Sequence, residues 1–278
     1  MTGKTSKSTF KLVRHSVKAL AVPVTFLILF VSMLGVISIT YYFAIQRVDA
    51  NSQSIKVSMA KQNMNSLDQD LLSVLWQPGS SRTLDFSDCD GQLDVQPSSN
   101  QLVINVTDNN GLAANIFNSS LGEVVYELPY SESADTGLYL MGDSRSVVNQ
   151  TASTLNQLYI RSGANHPEVV IHFRVTVSST TEIVNNQAIN YVKLYIVNMN
   201  SSQNMQFGGE IPLQISCTNV ESTELTYNAS NSSISLVMTA MLDGTPGQVV
   251  IPISTDTSGA VINIQVVVCD ITIERWLR

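Results

Sequence analysis

Chemistry needs side chains that can hold a metal, move a proton or attack a bond, and this sequence carries few of them close together. The densest acidic stretch is DFSDCDGQLD, with Asp85, Asp88, Asp90 and Asp94. Carboxylates around a tight glycine turn suit a hard cation such as calcium. The spacing of a full calcium loop fails, because Phe86 stands where the first ligand belongs and no Glu closes the loop. The stretch reads instead as a solvated turn between strands. Of the three histidines, His15 lies in a basic N-terminal tail and His166 precedes Pro167 in a turn. His172 alternates with Val and Ile, which places it on the polar face of a strand. No pair has metal-ligand spacing, and no nucleophile motif such as G-x-S-x-G is present. Gly208-Gly209 has no basic residue or helix start after it to cradle a phosphate. The expectation is a protein that is not an enzyme, with no cofactor and no metal site.

Two other residue types bear on chemistry outside a cell. The cysteines are Cys89, Cys217 and Cys269. An odd number leaves at least one thiol unpaired or joined to another chain. Cys217 and Cys269 fall on predicted strands and form the candidate disulfide; the alternative is three buried thiols acting as small apolar residues. No CxxC suggests zinc. Asn-x-Ser/Thr triplets occur at Asn105, Asn118, Asn149, Asn200, Asn228 and Asn231, which are candidate N-glycosylation sites. Glycans there would supply solubility to a surface poor in charge.

Charge and hydropathy say where these residues stand. Charged residues are 13% of the 278, about half of the roughly 25% usual in soluble domains. Lys4, Lys7, Lys11, Arg14 and Lys18 precede an apolar run from Ala19 to Ile45, and no acidic residue does. All 22 acidic residues follow it, with the ten remaining basic ones, a net of −12. The acidic pI of about 4.9 and the lack of a basic stripe argue against nucleic acid as a partner. The run is long enough to cross a lipid bilayer, which takes about 20 residues. It is too long for the apolar part of an ordinary cleaved signal, about 7–15 residues. Basic residues ahead of it predict a cytoplasmic leader, residues 1–18, a transmembrane segment, 19–45, and an extracytoplasmic remainder.

The residues Lys18-Ala19-Leu20-Ala21, placed directly before the span, resemble the processing site of archaeal type IV pilins and archaellin-like proteins, whose class III signal is cut ahead of the apolar run. The resemblance covers residues 11–77. It implies recognition and cleavage at Lys18, Ala19 and Leu20 by a prepilin-type peptidase, leaving a chain that begins LAVPVTFLILF. It also implies partners that are pilin-like subunits, of the same or another kind. Many bacterial relatives carry Glu at the fifth mature position; here that position is Val24, which departs from the bacterial pattern more than from the archaeal one.

From Gln46 to Trp76 there is no Pro or Gly. Val48, Ile55, Met59, Met64, Leu67, Leu71 and Leu75 recur at helical spacings. One helix is therefore expected from the span to Gln77, its outer part covering residues 46–77, about 87 Å in all at 1.5 Å per residue. Pro78-Gly79 should stop it. Ala21, Ser32, Gly35 and Ser38 would let such helices approach closely. Beyond Gly79 the period changes to two, in Leu102–Val106, Val169–Val177, Ile211–Cys217, Ile234–Met238 and Ile262–Val268. Turn-forming clusters such as Asp243-Gly244-Thr245-Pro246-Gly247 separate these runs. The fold class expected is α+β: a long N-terminal transmembrane helix, then an antiparallel all-β sandwich head over residues 80–278. The polar stretch 130–165 is read as long connections with one or two short strands, and as a place where the head could divide into two lobes. Two functions stay open. One is a subunit, minor or adhesive, of a surface filament; the other is a single-span anchored surface protein whose head binds a ligand or carbohydrate.

Overall fold

The computed structural model describes residues 18–108, 112–129, 136–149, 154–229, 235–256 and 259–276. The fold is α+β: one long apolar helix at the N-terminus, followed by a β-rich head of two curled, mainly antiparallel sheets. The described residues divide between Ser52 and Gln53 into two units. Helix α1 runs Lys18–Val74. The strands are β1 (Ser81–Phe86), β2 (Gln92–Asp108), β3 (Ala113–Glu127), β4 (Tyr139–Met141), β5 (Val147–Asn149), β6 (Asn156–Ser162), β7 (Pro167–Phe173), β8 (Val175–Val184), β9 (Gln187–Asn198), β10 (Met205–Gly208), β11 (Ile211–Ala229), β12 (Ser235–Leu242), β13 (Thr245–Pro252) and β14 (Ala260–Arg275).

One sheet has the order β1-β11-β14-β9-β8-β5, the other β13-β12-β2-β3-β7-β6-β4, with β10 also on β2. Two pairings are parallel, β9 with β14 and β5 with β8. The stretch 130–165 supplies β4, β5 and β6 to these sheets, so its described strands are woven into both layers.

Turn chemistry sets the hairpins. Asp243 and Gly244 both take positive φ, 47° and 76°, and join Leu242 to Thr245 directly. That is the two-residue turn that matches strand twist. The turn is shorter than the Gly/Pro cluster suggested: Thr245, Pro246 and Gly247 already belong to β13, an edge strand, where a proline costs no ladder bond it needs. Asn185 and Asn186, at φ 51° and 62°, do the same between β8 and β9.

The head has two hydrophobic centres. In one, the sheets meet directly: Leu102, Ile104, Leu236 and Met238 face Val192, Leu194, Ile262 and Ile264. In the other, the segment of α1 after Gln53 packs against Leu93, Val124 and Ile171 from one sheet and Leu213, Ile215 and Ile273 from the other. Here helical side chains fill the core between strands of both sheets. Helical residues thus supply core to the head, with Gln62, Gln69 and Ser73 exposed on the opposite face.

Candidate functional site: the N-terminal helix and its seat

The membrane-length part of α1 is apolar and uncovered. No residue of its most apolar stretch is buried. Phe26, Leu29, Val36 and Phe43 are more than half exposed. Several polar side chains in this stretch bond within the helix. Ser32, Ser38 and Thr40 each donate to the carbonyl four residues back, Ile28, Leu34 and Val36, at 2.7–2.8 Å, and Gln46 Nε2 donates to Tyr42 Oη at 2.8 Å. A hydroxyl bonded within its own helix can enter hydrocarbon without an unmet donor. The chain therefore has one N-terminal helix long and apolar enough to span a membrane. Lys18, Ala19 and Leu20 open it; their side chains, and residues 1–17 ahead of them, lie outside the described part.

The seat in the head is a seam of Val57, Ala60, Met64, Leu67, Leu71 and Val74, all buried. The steps alternate three and four, which keeps one face inward. Met64, Leu67, Leu71 and Leu75 of the expected stripe are in the core, but Ile55 and Met59 are 59% and 41% exposed. The reason is Ala60, fully covered: a small side chain lets the backbone come close to the sheets, and this fixes the helix rotation. Lys56 forms an ion pair with Asp90, and Asn63 Nδ2 donates to Ser87 O at 3.0 Å. Part of the acidic stretch thus fastens the β1–β2 loop to the helix, with Asp88 Oδ1 accepting the Asp90 N–H at 2.9 Å. At its end, α1 turns through Trp76 at φ 64°. Ser80 Oγ caps the Val74 carbonyl at 2.9 Å, and Gly79 N–H donates to Cys217 O at 2.8 Å. The helix stops three residues before Gln77: Trp76 leaves the helical conformation, Ser80 Oγ takes the Val74 carbonyl, and Gly79 N–H is held by the Cys217 carbonyl of β11.

Asp68 lies within the seam, fully buried. Asn156 Nδ2 donates to Oδ2, while Oδ1 has no hydrogen-bond partner. Burial pushes the carboxyl up to about 6, against the opposing effect of the Asn156 bond. A second buried charge, Arg174, stands between β7 and β8, where the chain leaves one sheet for the other. Its Nε donates to Thr154 O at 2.8 Å, and NH1 to Asp143 Oδ1 at 2.7 Å. Sequence alternation treated Val169–Val177 as a single half-exposed strand. In fact Arg174 and His172 are buried, at 2% and 9% exposure, because the 142–146 segment covers them.

Asn118, Asn149, Asn200 and Asn228 are exposed and Asn105 is half-buried; Asn231 lies outside the described residues. Asn105 Oδ1 accepts from Asn115 at 3.0 Å, and Asn118 Oδ1 from Gln101 at 3.2 Å. In the Asn200 triplet the hydroxyl is already in use: Ser202 Oγ accepts the Ile273 N–H at 3.0 Å. Cys217 and Cys269 lie across a bulge between β11 and β14. Their sulfurs are 3.5 Å apart, within reach of a thiol–thiol hydrogen bond, both thiols are buried and no disulfide joins them. Cys89 is buried too, within reach of Asn63 Nδ2 at 3.4 Å. Burial pushes the Cys269 thiol up to about 12. No family model, no curated protein and no solved structure matches this chain.

Proposed function

We propose that the chain is a type IV pilin-like subunit of archaeal type, a minor or adhesive component of a surface filament. In this reading the basic leader is cytoplasmic, α1 crosses the bilayer before assembly, and the head is extracytoplasmic. A prepilin-type peptidase cuts between Ala19 and Leu20, and the freed apolar helices then bury one another's surfaces. Glycans on the exposed asparagines would cover a surface with little charge. The observation that carries the reading is the division of labour along one helix. Its first part is bare and apolar, while its second part is core to the head, through Ala60, Met64, Leu67 and Leu71. An anchor needs only a linker to its cargo; in a filament subunit the assembling helix continues into a segment that is itself core to the head.

The test is co-expression with a prepilin-type peptidase, followed by intact mass of the membrane fraction. The expected product lacks residues 1–19. Replacing Lys18 or Ala19 with Glu should abolish both trimming and incorporation into fibres. An uncut N-terminus in the presence of active peptidase, or fibres unaltered by these substitutions, would overturn the assignment in favour of a single-span anchored surface protein.

A further inference from the structure

The head holds a cavity of about 280 Å³ on the face of its larger sheet turned away from the helix. Leu158 and Ile160 of β6 point into the core, so Gln157 and Tyr159 between them point outward. Register then places Tyr139 of β4 opposite Tyr159, and His172 of β7 opposite Gln157. The two tyrosine rings stack, with centroids 5.2 Å apart and planes at 25°. His172 meets Tyr159 edge-on at 5.7 Å. The 142–146 segment and the β12–β13 turn form the other sides, contributing Ser146 and Asp243.

We propose that this cavity binds the ring of a neutral hexopyranose, free or at the end of a glycan. Three features select that chemistry. The first is an aromatic wall, which receives the C–H face of a sugar through ring electrostatics and apolar contact. The second is a set of neutral and acceptor groups converging on one small space, as ligand orientation requires. Asp243 Oδ1 takes the Gln101 N–H at 3.0 Å, and Oδ2 takes no donor among the described residues. His172 Nδ1 lies 3.3 Å from Phe173 O; a carbonyl can only accept, so Nδ1 carries the proton and Nε2 keeps a lone pair. Burial lowers the His172 pKa and holds the ring neutral. Gln157 Nε2 is bound to the Asp143 and Arg145 carbonyls, which fixes the amide orientation and makes Oε1 a buried acceptor with no partner. The third feature is that no Lys or Arg lines the cavity among the described residues, which disfavours phosphates and carboxylates. The volume falls just under the roughly 300–1,000 Å³ of drug-sized pockets, so it fits one ring rather than a chain. The inference does not depend on filament assembly, since every lining residue named comes from one head.

Saturation-transfer NMR on the full chain in detergent tests it. The probes are methyl glycosides of glucose, galactose, mannose and N-acetylglucosamine, and trisaccharides ending in each, which separate a free sugar from a glycan terminus. Saturable binding of at least one is expected by about 10 mM. Tyr139→Ala should weaken it about tenfold, while Tyr139→Phe retains it. Asp243→Asn keeps an acceptor for the Gln101 N–H, so it preserves the turn, and it should weaken binding several-fold. Circular dichroism checks that each variant is folded; should Tyr139→Ala unfold, Asp243→Asn decides alone. No saturation by any probe, or wild-type binding in the folded variants, overturns the proposal. Leader trimming is indifferent to these substitutions, so the two assignments fail separately.

Discussion

Replacing Asp68 by Asn should stabilise the head above neutrality and leave it unchanged in acid. The carboxyl is fully buried with a single donor, from Asn156. It holds its proton up to about pH 6 rather than the ordinary 3.8. Below pH 3.8 both folded and unfolded chains are protonated there. As pH rises, the unfolded chain releases the proton first, so the folded state loses stability until its own carboxyl ionises near pH 6. The loss is about 1.4 kcal/mol per pH unit between the two values, hence about 3 kcal/mol above pH 6. Asparagine reproduces the neutral acid: its carbonyl can take the Asn156 donor, and its NH₂ stands where the unpartnered Oδ1 stood. The gain at pH 8 should be about 3 kcal/mol, or roughly 6–12 °C in Tm at 2–4 °C per kcal/mol for a domain of this size. It should shrink through pH 6–4 and vanish below pH 4. Thermal unfolding of the full chain in detergent, followed by near-ultraviolet circular dichroism at pH 4, 6 and 8, measures it. An equal gain at pH 4 and pH 8, or no gain at pH 8, would refute the idea that a buried negative charge costs stability here.

Two further substitutions and one oxidation probe the same region. Ala60→Leu overfills the seam and should cost about 1–3 kcal/mol, whereas Met59→Ala, on the exposed side, should change stability by less than about 0.5 kcal/mol. Denaturant midpoints for the pair decide whether the seam runs through Ala60 or Met59. Incubation with oxidised glutathione should join Cys217 to Cys269, releasing two reduced glutathiones and leaving Cys89 a thiol. The reaction should be slow at neutral pH, because burial keeps the Cys269 thiolate scarce. Peptide mapping without reductant reads the pairing, and a Cys89-containing bridge within one chain would contradict the geometry.

The fold was legible where periodicity alone decides it. Leu102, Ile104 and Val106, or Ile211, Leu213 and Ile215, alternate with polar neighbours and are buried in the head. The change from helical to twofold spacing after Gly79 likewise announces helix then sheet. What periodicity encodes is a face, however, and not the partner that covers it. The parallel pairing of β9 with β14 joins residues about 70 apart, and nothing local to either strand names the other. The cavity was invisible for the same reason: Tyr139, Gln157, His172 and Asp243 meet only because three strands and a distant turn converge. His172 was placed on the correct side of its strand, but the segment that covers it has no strand period to reveal it.

The helix seam failed differently. Ile55 and Met59 outweigh Val57 and Ala60 in hydrophobicity, so a count of apolar residues misplaces the start of the stripe, while from Met64 onward it names the buried face. Two buried charges, Asp68 and Arg174, then mark places where the chain departs from its simple pattern. Arg174 interrupts an alternation that otherwise reads as one strand, and it is where the backbone passes between sheets; its guanidinium takes carbonyl and carboxylate groups of segments that no longer have a ladder partner there. Asp68 interrupts the helical seam, and it is where the helix meets the start of β6 through Asn156. A lone charge inside an apolar period costs too much to be kept as filler. At Asp68 and Arg174 the charge signals a junction between elements, and that signal is readable in the sequence once the period around it is known.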